Sequence, residues 1–350
     1  MDATTIRVSE PRELLALLPH QLGFRPQESA VAVSLRAPRG RVGLIARVDL
    51  TDLADVVHGP QLARGLVSHL VADGARRAVL VIYTPEDPRF PAGGGAALGS
   101  SPGLVRAAAE QFREAAEPFL PEVGVWVVSR SGYLSLDCAD PGCCPRGGRP
   151  LRDLDGTEVG AHMVLAGSLV ADSRDELARI EPAAAQPRRN ATRVAQRARA
   201  RRLVAVAASD EALHRWRADG MAAWREVPGT GDLPERTLLG GAGRPVGEIA
   251  QGTSAALDAV MDTRRGIAPD RTLVGVGVDV LERVVAHTRT SDQAAALTLL
   301  ALIAWWRADG ARAGVLLGRA LDADPDHRLA LLLSDALARG LSPGWMRRPA

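Results

Sequence analysis

Apolar residues along this chain fall into two regimes. Between residues 30 and 136, short β-branched runs alternate with longer stretches of helical period; beyond about residue 160 the helical period takes over. Ala30 to Leu35 (AVAVSL) and Val42 to Leu50 (VGLIARVDL) have strand length, and the turn residues Pro38-Arg39-Gly40-Arg41 join them as a hairpin. Ala78 to Tyr83 (AVLVIY) and Val123 to Ser129 (VGVWVVS) predict two more strands, and residues 132–136 can return beside the last as a short antiparallel strand. These runs are continuous rather than strictly alternating, so both faces of the sheet are expected to be covered.

The helical stretches between them complete a layered pattern. Ser9 is expected to cap a helix over residues 9–18, with Pro11 in its first turn. Pro19, lacking an amide donor, is expected to stop it, and Gly23 and Pro26 bracket the turn that follows. Leu53 to Ala72 is amphipathic, with Leu53, Val56, Val57, Leu66, Leu70 and Val71 on its apolar side and Gly59-Pro60 placed to kink or divide it. Leu104 to Phe119 reads as a helix with Phe112 and Phe119 facing inward. Strand–helix–strand crossovers imply parallel neighbours, and the hairpins make the sheet mixed. Residues 1–180 are therefore read as an α/β domain.

Residues 181–350 are read as an all-α domain. The helical pattern begins after the cysteine segment, with stretches 160–171 and 174–180 at the end of the first domain, and continues over 192–216 and 246–264, with residues 227–244 as a Pro/Gly-rich connector. Residues 271–288 are ambiguous, because LVGVGVDVL alternates like a strand; the helical neighbours decide for helix. Residues 294–327 resemble one tetratricopeptide-like helical hairpin, with Leu297, Leu300, Ala301, Ala304, Ala313, Leu317, Ala320 and Pro325 at that repeat's spacing. A single hairpin cannot bury its own apolar face, so residues 328–339 and other helices are expected to cover it.

Leu22-Gly23-Phe24-Arg25-Pro26, Glu28-Ser29 and Arg47-Val48-Asp49-Leu50, with Cys138, Cys143-Cys144-Pro145 and Ala320-Leu321…Asp324-Pro325, resemble an uncharacterised actinobacterial family, domain of unknown function 4192. The resemblance spans about Leu14 to Trp345. It implies membership and no activity.

Composition narrows the field. Basic and acidic residues number 43 and 41, a net charge of +2, which argues against a general nucleic-acid or membrane-surface role. Every basic residue is Arg; with the abundance of Ala, Gly and Pro, this reads as the codon bias of a GC-rich genome and devalues arginine clusters as signals. With only 4 Phe and 2 Tyr, the core must rest on Leu, Val and Ala. No leader-like h-region opens the sequence, the apolar run 294–306 is too short to span a bilayer, and three Cys in a chain this long are no disulfide scaffold. A cytoplasmic protein is expected.

Four places could carry chemistry. Strands predicted to run parallel end at Asp49, Thr84 and Arg130, so these residues, with Glu86 and Asp87, would line one rim, where α/β sheets bind ligands; Arg25, in the preceding turn, offers a bidentate fork for an anion. Against this, Asp49 can cap the next helix, Arg130 can pair with a surface acid, and Arg25 can brace its turn. Cys138, Cys143 and Cys144 could bind zinc with His162, Asp137 or Asp140 as the fourth ligand. Consecutive side chains are expected to diverge, however, and a redox pair of Cys138 with Cys143, or a turn of small buried thiols, are the other readings. Gly93-Gly94-Gly95…Gly99-Ser100-Ser101 and Gly241-Ala242-Gly243…Gly247 lack phosphate-loop spacing. Arg189, Arg193 and Arg197 form an i, i+4 stripe in the run Arg188 to Arg202, a solvated helix face or an anion contact.

No nucleophile with a matching base is apparent. The leading expectation is a non-catalytic protein binding a protein or small-molecule partner, with no cofactor unless zinc occupies the cysteines. An enzyme with its site at the sheet rim, and a structural metal or thiol site, are the alternatives.

Overall fold

The computed structural model describes residues 10–37, 40–89, 101–212, 215, 260–262 and 266–347. Both Gly-rich loops weighed above, and almost all of the helix expected over 246–264, lie outside the described residues. The chain divides into two compact units, residues 1–176 and 177–350, and the whole is a mixed α/β structure.

The first unit opens with α1 (Pro11–Leu22), with Pro11 at its start and Glu10 in the N-cap position without a side-chain capping bond; Ser9, expected to cap it, lies outside the described residues. Contrary to expectation, Pro19 does not end this helix. It lies inside the last turns, and the chain leaves the helix only at Gly23, whose φ of 77° is the left-handed conformation of a helix C-terminus. The hairpin β1 (Ser29–Arg36) and β2 (Arg41–Asp49) follows, then α2 (Leu50–Ala54), α3 (Gly59–Ala72), β3 (Ala75–Tyr83), α4 (Ser101–Ala116), β4 (Val123–Val128) and β5 (Tyr133–Ser135). The helix expected over 53–72 is divided ahead of Gly59, and Val56 and Val57, placed on its apolar side from sequence, sit exposed in the break. Phe119 is likewise exposed, beyond the end of α4.

The strand order is β2-β1-β3-β4-β5. β1 pairs antiparallel with both β2 and β3, β3 runs parallel to β4, and β5 returns antiparallel. The sequence reading of two crossovers joining parallel neighbours thus holds for β3 and β4 alone. β2 and β3 run in the same direction, but β1 lies between them and fills the gap that a direct crossover would close.

One face of this sheet presents Ala30, Ala32, Ala78, Leu80, Ile82, Val125 and Val127 to α2, α3 and α4, whose Leu53, Leu70, Val105, Ala108 and Phe112 complete a core that also holds Cys144. Small residues on the strands let the helices approach closely, so the shortage of aromatics is met by tight Ala and Val packing. Val31, Val33, Val81 and Tyr133, on the opposite face, are buried as well. Short helices α5 (Arg152–Asp155) and α6 (Glu158–Leu165) follow; the buried Glu13 of α1 accepts the Val159 amide at 3.1 Å at the start of α6.

The second unit contains α7 (Ala185–Ala208), α8 (Arg271–His287), α9 (Ala294–Trp306), α10 (Gly310–Ala323) and α11 (Arg328–Ala338). The ambiguous stretch after 271 is helical. Leu297, Leu300, Ala301, Ala304 and Trp305 of α9 pack with Ala313, Leu316, Leu317 and Ala320 of α10, and Ala330 and Leu333 of α11 join the same core. Among the described residues, no helix is long and apolar enough to cross a membrane.

Candidate functional site

Two places in the first unit gather polar chemistry, and the strand directions explain both. β2, β3 and β4 run the same way and end at Asp49, Tyr83 and Val128, beside the start of β1 at Ser29. Asp49, Ser29, Tyr83, Val128 and Tyr133 therefore form one cross-strand row. Asp49 and the residue after Val128 share an edge, yet three strand spacings, about 14 Å, separate their strands.

Asp49 precedes α2 without a side-chain capping bond; its carboxylate instead pairs with Arg47 at 2.7 Å. Arg47 also donates through Nε to the fully buried Ser29 hydroxyl at 2.9 Å. Burial lowers the Arg47 pKa, and Arg174 adds to that while Asp49 opposes it. The sequence reading singled out neither Arg47 nor Ser29 as a site residue; their only sign was membership of the motifs that carry the family resemblance. Thr84 is buried and its Oγ1 has no partner among the described residues. Arg130 is exposed, anchored through its amide to Pro85 O at 3.4 Å. Arg25 is exposed beside Asp172 at 3.9 Å, while its amide and the carbonyl of Gly23 clamp Ala171. Arg25, Asp49, Thr84 and Arg130 thus stand at the same end of the sheet, with the Thr84 and Arg130 segments hydrogen-bonded side by side and Asp49 on the edge strand β2.

Asp87, also assigned to the rim from sequence, points elsewhere. Its buried carboxylate accepts three bonds from Arg89 and one from the Gly147 amide at 3.0 Å. Burial would push its pKa up; these donors outweigh it and hold the carboxyl below the ordinary value. Arg89 extends the clamp to the carbonyls of Cys144 (3.1 Å) and Pro145 (2.8 Å). The segment after β3 is therefore fastened to the segment after β5, which carries the cysteines.

That segment is a tight knuckle. Gly147 and Gly148 adopt φ of 81° and 82°, and a Cβ on Gly148 would lie 2.8 Å from the Tyr133 nitrogen, so only glycine fits. Arg149 then pairs with Tyr133 through both backbone bonds, closing the loop. Inside it, the sulfurs of Cys138, Cys143 and Cys144 all lie within 4.8 Å of one another. Cys143 and Cys144, expected to diverge, instead bring their sulfurs within 4.8 Å of each other, in a turn over residues 140–144 closed by the Cys144 amide on Asp140 O at 2.7 Å.

Hydrogen-bond donors stand beside two of the sulfurs. The Ser135 amide points at Cys144 Sγ at 3.5 Å, and Arg149 Nη2 lies 3.6 Å from Cys143 Sγ. A backbone hydrogen bond from Asp140 holds the Cys138 thiol below its ordinary pKa, whereas burial pushes Cys144 up. All three are free cysteines. Tetrahedral zinc at about 2.3 Å from each sulfur requires sulfurs about 3.8 Å apart, a contraction that side-chain rotation can supply. Of the fourth ligands considered, Asp137 pairs with Arg113, Asp140 accepts the Gly142 amide at 2.8 Å, and His162 is outside the cluster.

In the second unit, the Arg run lies on α7 with most of its side chains exposed, and Arg188, Arg189, Arg193 and Arg289 line one shallow hollow.

Comparison with protein families places residues 11–344 in the family described as domain of unknown function (DUF4192). The match covers nearly the whole chain, and the protein belongs to that family. Neither the comparison with curated proteins nor that with solved structures finds a match.

Proposed function

We propose that this is a cytoplasmic metal-binding protein that holds a thiophilic d10 ion, zinc foremost, on Cys138, Cys143 and Cys144. The observation that carries the reading is the convergence of three sulfurs within 4.8 Å in a knuckle tied down on two sides. The amide donor to Cys144 and the guanidinium beside Cys143 are the outer-shell groups that stabilise metal-bound thiolates. Three Cys in a chain of 350 residues are too few for a disulfide framework, which supports the cytoplasmic reading. Purified under reducing conditions, the whole chain is expected to carry one zinc ion, and Cys143→Ser to lose it, by elemental analysis. Metal-free protein that takes up no added zinc, with three thiols titrating freely, would overturn the assignment.

A second reading puts a small polar ligand at the rim, near Arg25, Asp49, Thr84 and Arg130. The buried Thr84 hydroxyl, without a partner among the described residues, supports it, since a ligand oxygen could satisfy that group. On this reading Thr84→Val removes a co-purifying small molecule detected by mass spectrometry after denaturation; identical extracts from both proteins count against it.

The finer architecture follows the same reasoning. We read residues 1–180 as a self-contained α/β domain and 181–350 as a helical domain whose α9–α10 pair is a tetratricopeptide-like hairpin suited to a protein partner. The small residues Ala301, Ala304, Ala313 and Ala320 in the core between these helices support that comparison.

A further inference from the structure

We infer, building on the metal site proposed above, that its ion keeps one coordination position for a small anionic donor from outside the chain. Three protein ligands and a vacant fourth position define an open tetrahedral site, as distinct from a closed structural one. Among the described residues, no His, Asp or Glu joins the three sulfurs within 4.8 Å. Of the acids nearby in sequence, Asp137 pairs with Arg113 and Asp140 accepts the Gly142 amide through Oδ1, and neither joins the sulfur group. Residues 90–100, which continue from Arg89, contain no His, Cys, Asp or Glu.

Access and charge point the same way. Cys144 is 3% exposed and part of the hydrophobic core, whereas Cys138 and Cys143 are only partly buried. The ion would therefore be backed by the core and approached from the side of Cys138 and Cys143. Three thiolates around a divalent ion leave a net charge of −1. A further anion raises it to −2, and Arg149, with Nη2 near Cys143 Sγ, supplies a cation at that edge. The fitting donors are hydroxide, formed when a bound water releases its proton to solvent, and a low-molecular-weight thiolate, formed when the thiol does the same. Both bind without redox change, displacing at most a water.

Cobalt(II) loaded into the full-length protein tests this, because its visible bands report coordination directly. Loading is expected to give thiolate-to-cobalt charge-transfer bands, and the ligand-field bands then shift when 2-mercaptoethanol is added (thiolate) or when pH is raised without thiol (hydroxide). Asp140→Asn and His162→Gln are expected to leave the starting spectrum unchanged. Charge-transfer bands whose ligand-field region ignores both additions, or changes in either variant, would show that the protein supplies the fourth ligand and overturn the inference. Complete absence of charge-transfer bands would instead count against the metal site itself, so the two failures are distinguishable.

Discussion

Gly148 and Asp87 hold the cysteine knuckle in place, one by backbone fit and the other by hydrogen bonding. A methyl group on Gly148 would meet the Tyr133 nitrogen at 2.8 Å and the Gly132 carbonyl carbon at 2.9 Å, in a backbone with φ of 82°. Gly148→Ala is therefore expected to lower the melting temperature and to abolish zinc retention, even though every sulfur remains; calorimetry with elemental analysis checks both. Asp87 acts through charge. Its folded-state pKa lies below the ordinary 3.8, so its contribution to stability is complete above that value and is lost as pH falls through the folded value. Asp87→Asn removes this dependence, and the stability of the variant is expected to fall less steeply than that of the wild type below about pH 4. Asp73, depressed in the same direction by Arg36 and the Leu44 amide despite its burial, leaves a residual slope in both proteins. Urea unfolding at a series of pH values measures the difference. None of this was legible in the sequence. Asp87 looked like a rim acid because it follows a strand; its true partners, Arg89 and the Gly147 amide, include one 60 residues away.

The elements divide between those whose identity is local and those settled by context. β1, β3 and β4 were readable because continuous apolar runs of strand length occur where both sheet faces are buried. α8 was ambiguous, since its alternating Val and Gly fit either period, and packing against α9 in one core decided for helix. α1 shows tertiary override of a local rule: Pro19 costs an amide bond within the helix, but Leu18 and Leu22 are buried on either side of it, and that burial carries the helix through. In the second unit, the last turn of α9 carries Trp305, 4% exposed, whose Nε1 donates to Leu341 O at 2.9 Å. Trp305→Phe keeps most of the packing and is expected to cost about 1 kcal/mol for the lost hydrogen bond. Trp305→Ala also opens a cavity and is expected to cost about 3–5 kcal/mol. Denaturant unfolding of the two variants separates the contributions.

At the scale of the whole molecule, each unit has a core of its own. That of the first unit is drawn from its sheet and α2 to α4, and that of the second from α8 to α11 with Ala178, Val260 and Ile180. Residues 1–180 expressed alone are accordingly expected to unfold in one cooperative step by circular dichroism and, if the proposed metal site is correct, to retain zinc by elemental analysis. An unfolded fragment would show that the first unit depends on the rest of the chain.

The amino-acid sequence by itself determined the mixed α/β class, most of the strands and helices, and the family, because apolar periodicity and short motifs are properties of neighbouring residues. It also marked Cys138, Cys143 and Cys144. Only tertiary structure decided that β1 lies between β2 and β3, that Arg47 rather than a helix terminus engages Asp49, and that adjacent cysteines face one another. Those outcomes depend on hydrogen bonds between residues far apart in the chain, and on the left-handed turn at Gly147 and Gly148, whose necessity appears only once Tyr133 is in place beside it.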